Sequence, residues 1–281
     1  IAMAMIGPIP GAILLVVLGL VNVLTIAAIA ETVARTGSVR YGNSFFGRIV
    51  GQYLGSIGAS IVTVALVGIC LVALLAYYLG FSSVLADATV ALYFLSSGSL
   101  SSTIVSALAI GAINIVLIVV LSFLAFAHLN PENLAYMNVP FIDGRPFEPG
   151  VLELIFGVVL TAYFGHTSVG NCGKLVLQRD PSSRSLILGV VAAQVAVIVL
   201  FALWVLAVNC AVAPSVLANE KRTSLAPLVA IVGPIVHPLG SVFVLLAMGM
   251  ASVHSSFGLF NLVRERLPST KATVLLLQKG S

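Results

Sequence analysis

Long apolar runs decide what this chain can become. Residues 11–30, 54–81, 104–127, 151–177, 186–213 and 235–263 are almost free of charge. At 1.5 Å per residue, a helix needs about 20 residues to cross a hydrocarbon core of about 30 Å. All of these runs reach that length. A further run, 84–95, is shorter and leads into Ser96-Ser97-Gly98-Ser99. The expected fold class is therefore an all-α polytopic membrane protein, because a membrane barrel shows alternating segments of about ten residues instead. Composition agrees. Apolar residues make up 60% of the 281 and charged residues 8%, against about 25% charged in an ordinary soluble domain. Mean hydropathy is +1.16. So few charges cannot coat a soluble globule, which excludes a soluble enzyme, a nucleic-acid binder and a disordered protein.

The net charge of +4 reads as topology, because Lys and Arg sit in the breaks between apolar runs. Suppose that 84–95 crosses and that the loop after 11–30 is cytoplasmic. Arg35, Arg40, Arg48, Lys174, Arg179, Arg184, Arg264, Arg266, Lys271 and Lys279 then lie inside, and Arg145, Lys221 and Arg222 outside. Without that crossing the split evens out, so the positive-inside bias favours seven crossings. Residues 130–150 form the proline-containing outer loop with Glu132, Asp143 and Glu148. Residues 36–53 are expected as an amphipathic stretch at the inner face, and 269–281 as a tail that does not span. Residues 1–281 read as a single membrane domain. The chain opens apolar at Ile1 with no charged region ahead of it, as expected of a piece that begins inside a helix rather than of a signal peptide. Cys70, Cys172 and Cys210 have no metal-ligand spacing, and Cys70 and Cys210 read as small core residues.

The informative segment is 151–177, VLELIFGVVLTAYFGHTSVGNCGKLVL. Its first half is apolar and helix-like. Phe164-Gly165-His166-Thr167-Ser168 follows, then Gly170 and Gly173. Glycine disfavours helix, and Thr167 and Ser168 are natural N-cap residues. Two half-helices of about 12 and 10 residues are expected, by the apolar half and the polar half, with the break at mid-membrane depth. A break leaves carbonyls of one half and amides of the other without helical partners. In a bilayer such groups persist where they face a cavity, water or a ligand. The new N-terminus carries partial positive charge and suits a carboxylate. His166 is ionisable near neutral pH, and an ionisable group at this depth marks a functional site. The competing reading is a continuous helix whose glycines permit close packing.

AYFGHTSVGN, the Arg179-Asp180-Pro181 turn and the following span with Trp204 together resemble the sixth and seventh helices of amino-acid permeases of the amino acid–polyamine–organocation superfamily, in particular the amino acid/auxin permease branch. MGMASVHSSFGLFNLVRERLP, from Met248 to Pro268, resembles that group's eighth helix, and GPIPGAILLVVLGLVNVLTIAAIAETVAR its second. The resemblance implies an inverted-repeat bundle with broken helices, of which this chain would hold the end of helix one and helices two to eight. It implies a substrate site at Phe164, Gly165, His166, Thr167 and Ser168, and a Na⁺ site using hydroxyls such as Ser252 and Ser255. Serine-mediated helix packing is the plainer account of both serines.

The function expected is secondary active transport of amino acids by alternating access, coupled to Na⁺ or H⁺, in the plasma or cytoplasmic membrane. No cofactor is expected, and the partners are the amino acid and the lipid bilayer. The alternatives are an intramembrane enzyme using Ser168, His166 or His254, a channel, or a structural membrane protein. No acidic residue adjoins a histidine to orient it, and no GxSxG or HExxH motif is present. Asn22, Asn114 and Gln194 read as interhelical ties, and Glu31 with Arg35 as a surface pair at i,i+4.

Overall fold

The computed structural model describes residues 1–35, 46–85, 100–139, 149–220 and 223–266. A single 3₁₀ turn, Ala2–Met5, precedes α1, Pro8–Arg35. The sequence dictates how α1 starts. Pro10 has no N–H to give the carbonyl of Ile6, which accepts from the backbone of Asn138 at 3.0 Å instead. The Asn138 side chain donates to Met5 O at 2.9 Å. Gly7 sits between them at φ 104°. A Cβ there would lie 2.2 Å from Tyr136 O, so only glycine admits this approach of two chains.

The remaining elements are α2 Phe46–Leu85, α3 Leu100–Phe126, α4 Pro131–Ala135, α5 Pro149–Ala162, α6 His166–Arg179, α7 Arg184–Ala211, α8 Pro214–Asn219, α9 Leu225–Val232 and α10 Val236–Arg266. Helix is the only regular secondary structure apart from turns among the described residues. Five helices are long and apolar enough to cross a membrane: Pro8–Arg35, Ile49–Tyr78, Leu108–Phe126, Arg184–Ala211 and Val236–Phe260. The protein is helical and membrane-embedded, as the apolar runs predict. The exposed residues of these helices include Leu24, Ile57, Val64, Val72, Leu108 and Phe123, which suit contact with acyl chains.

Two elements depart from expectation. Helix α2 begins at Phe46, inside the stretch read as an inner-face segment, and is interrupted at Gly55, φ 69° and ψ −176°. That left-handed conformation requires glycine rather than space, since nothing lies within 4 Å of a Cβ there. The interruption falls where the long apolar run begins. Between the apolar runs 186–213 and 235–263, where no element was expected, the chain forms α8 and α9. Apart from Val84 and Leu85, which close α2, the crossing assigned to 84–95 lies outside the residues whose structure is described, as do Arg40, Asp143, Arg145, Glu148, Lys221, Arg222 and the tail 269–281.

The described residues fall into two compact units. One comprises Ile1–Thr25, Leu79–Phe164 and Val191–Met250; the other comprises Ile26–Tyr78, Gly165–Val190 and Ala251–Ser281. In the first unit, Leu121 and Ala125 of α3 pack with Ala207, Val208 and Ala211 of α7, closed over by Leu217 of α8 and Leu228 of α9. The turn after α3 is tied to the end of α7. Asn130 N–H reaches Cys210 O at 3.0 Å and the Asn133 side chain reaches the same carbonyl at 3.2 Å. A second cluster in that unit gathers Met3, Ile6 and Leu15 with Ile155 and Val159 of α5, Tyr163 just after it and Ile198 of α7. In the second unit, Ile26, Ala30 and Val33 of α1 pack with Val169 and Leu177 of α6 and Leu186 of α7. Cys70 and Cys210 are buried free thiols, as expected of small core residues.

Candidate functional site

The apolar segment 151–177 is interrupted. Helix α5 ends at Ala162 and α6 starts at His166, each 14 residues long. Tyr163, Phe164 and Gly165 lie between them. The last turn of α5 tightens: Tyr163 N–H still reaches Val159 O four residues back at 3.1 Å, while Phe164 N–H reaches Thr161 O only three back. The chain passes from the first unit to the second at Phe164–Gly165.

Tyr163 anchors the carbonyl end of the break within the first unit, and it was not singled out from the sequence. It is 2% exposed. Its hydroxyl donates to Leu15 O at 3.2 Å, and its own carbonyl accepts from the Asn22 side chain at 3.2 Å. Its ring stacks on Phe201 with centroids 5.6 Å apart. Gly19 makes this possible, because a Cβ there would lie 2.5 Å from Ile198 Cγ1 and 3.0 Å from the Tyr163 hydroxyl. The signal was present in the sequence: a phenol inside an apolar span needs a hydrogen-bond partner. Asn22 is the interhelical tie that its position predicted. Beside this anchor, in the same unit, lies an apolar cavity of about 150 Å³, lined by Met3, Leu15, Val159, Ala162, Phe201 and Trp204 among others.

On the amide side, Gly165 occupies the N-cap of α6, with φ −112° and ψ 3° and no side-chain capping bond. This corrects the expectation for Thr167 and Ser168. They fall at the second and third helical positions, so the backbone turns at Gly165 before either residue is reached. His166 opens the helix and is half-buried. The glycines of α6 divide between the two readings offered by the sequence. Gly165 ends the break. Gly173 serves close packing, since a Cβ on it would lie 2.8 Å from Val33 Cγ1. These five residues are consecutive in the chain, Phe164 in the first unit and Gly165, His166, Thr167 and Ser168 in the second.

Ser252 and Ser255 lie on α10 in the second unit and are half-buried, three residues apart on one helix face. His254, between them, is exposed. No group of three or more His, Cys, Asp or Glu side chains with metal-binding geometry occurs among the described residues.

No family model, curated protein or solved structure matches the chain.

The turn after α6 is well built. Asp180 accepts from the backbone of Ser182 at 3.0 Å and of Ser185 at 2.8 Å, and from the Ser182 hydroxyl. The Ser182 hydroxyl bond first, then the bonds from Ser185, hold its carboxyl well below the usual carboxylate range. Its charge also faces the first turn of α7, where the helix dipole favours an anion.

Proposed function

We propose that the protein is a secondary active transporter that moves amino acids across its membrane by alternating access, coupled to Na⁺ or H⁺. One observation carries this reading: the interruption of an apolar segment at Tyr163–Gly165, between two half-helices of equal length. The chemistry of the two ends supports it. The start of α6 is the positive end of its helix dipole, which suits a carboxylate. The last carbonyls of α5 carry the opposite partial charge and suit an ammonium. Irregular backbone in a membrane protein is tolerated where it lines a cavity or binds a ligand, and discontinuous helices are how transporters build midplane sites.

On this reading Phe164 walls the site, Gly165, His166, Thr167 and Ser168 contact the substrate, and Ser252 and Ser255 serve a coupling Na⁺. The resemblance to the amino acid/auxin permeases points the same way, and the plasma or cytoplasmic membrane is the expected location. The reading is tested by uptake of a labelled amino-acid mixture into vesicles carrying the full-length protein, under a sodium gradient, a proton gradient and neither. Saturable uptake that depends on one gradient is expected and identifies the coupling ion. Absence of uptake under every condition, by protein shown to be folded, contradicts it.

A further inference from the structure

Among the amides of the first unit that carry unmet hydrogen-bonding atoms, Asn22, Asn114, Gln194 and Asn209, two lie at one joint. Asn22 on α1 and Gln194 on α7 are each 6% exposed. Asn22 Oδ1 and Gln194 Nε2 have no hydrogen-bond partner. The orientation of Asn22 is fixed by chemistry, since only its amide nitrogen can donate to Tyr163 O. Its Oδ1 is therefore an acceptor held at the joint between α1 and the end of α5.

Gln194 belongs to the same joint by register. Leu15 lines one cavity with Phe201 and Val205, and Gly19 faces Ile198. Numbers rise on α1 as they fall on α7, so the helices run antiparallel. One further turn takes Gly19 to Asn22 and Ile198 to Gln194. The walls there are Val23 and Val197, which pack on the cluster of Leu15, Tyr163 and Ile198.

The polarity of the two unmet atoms selects the ligand. A cation would satisfy Asn22 Oδ1 and be repelled by the Gln194 N–H groups. An anion would do the reverse. A neutral molecule that both donates and accepts satisfies both. The Tyr163 hydroxyl and carbonyl already have partners, and neither lipid nor bulk water reaches such a site inside a bilayer. We propose that Asn22 and Gln194 hold one ordered water molecule at the joint of α1, α5 and α7. The water accepts from Gln194 Nε2 and donates to Asn22 Oδ1, so Asn22 joins the carbonyl end of α5 to a buried hydration site. This site does not depend on the transport reading, and failure of one leaves the other standing.

A density map of the full-length protein in lipid nanodiscs, at a resolution that shows waters, tests the site without altering any residue. The expected result is a peak about 2.7–3.2 Å from both amides. Direct contact between the amides, or no peak, overturns the proposal. Thermal unfolding of Gln194→Met, Asn22→Leu and the double variant gives an independent check. Each single change leaves one buried group orphaned, so the double variant is expected to lose less than the sum of the two. Strict additivity contradicts the bridge. Replacing sodium by choline is expected to change the stability of the wild type and of Gln194→Met by the same amount, because sodium held elsewhere in the protein is untouched by the substitution. A sodium-dependent stabilisation lost in Gln194→Met would identify a cation, with the Gln194 amide reversed, and would overturn the water.

Discussion

Tyr163 joins three kinds of contact in one side chain: a hydroxyl bond to Leu15 O, a carbonyl held by Asn22, and a ring stacked on Phe201. Inside a bilayer the hydrophobic effect does not drive helices together, and an interhelical hydrogen bond contributes about 0.6 kcal/mol on average, with a maximum near 1.7. Tyr163→Phe should therefore lower stability by about that amount and leave the stack in place, as measured by thermal unfolding in nanodiscs. His166→Ala should cut uptake by about tenfold or more without lowering the amount of inserted protein, since His166 opens α6 and is not part of the buried clusters around α5 or α6. Normal uptake would remove His166 from the site. Asp180 offers a test by pH. Its carboxyl is depressed by the Ser182 and Ser185 bonds, so its contribution is present above the ordinary carboxylate value of about 3.9 and is lost as pH falls through the depressed folded value. Asp180→Asn should therefore be less stable than the parent at pH 7, and the difference should shrink only at pH below about 4. A difference unchanged by pH would contradict the assignment. The residues that mattered in 151–177 were partly legible. Gly165 and His166 stood out because glycine and an ionisable group are rare in an apolar run. Tyr163 did not, because its need for a partner can be read from the sequence but the partners themselves, Leu15 O and the Asn22 side chain, are far away in the chain.

At the scale of elements, glycine decides more than hydrogen bonding does. A methyl at Gly173 would lie 2.8 Å from Val33 Cγ1, and overpacking of this kind costs about 1–3 kcal/mol. Gly173→Val should therefore destabilise more than Tyr163→Phe does, and unfolding of the two variants side by side checks that order. The long helices were legible because a period-independent apolar run of 20 or more residues leaves the backbone no other way to satisfy its polar groups. The ends of the half-helices were less so. Thr167 and Ser168 have capping chemistry, yet the turn is made by the glycine before them. Helices α8 and α9 were missed because each is under nine residues. They exist through the burial of Leu217 and Leu228 against α3 and α7, a tertiary effect with no local pattern. The kink at Gly55 was written as a boundary between a polar-rich and an apolar stretch, and the structure makes it a bend within one element.

At the scale of the whole molecule, the account makes the break at Tyr163–Gly165 the place where substrate meets protein. Five membrane-length helices supply the scaffold, and the apolar helix α5 stops at Ala162, three residues before the more polar α6 begins. The most direct test places a cysteine at the break. In the full-length protein with Cys70, Cys172 and Cys210 replaced by serine or alanine, Thr167→Cys is exposed to a membrane-impermeant thiol reagent in sealed vesicles, with and without an amino-acid mixture. Retained uptake by the cysteine-free parent is the control. The account predicts labelling that slows several-fold when amino acids are present. Labelling at the same rate with and without amino acids, or none from either side of the membrane, would contradict it.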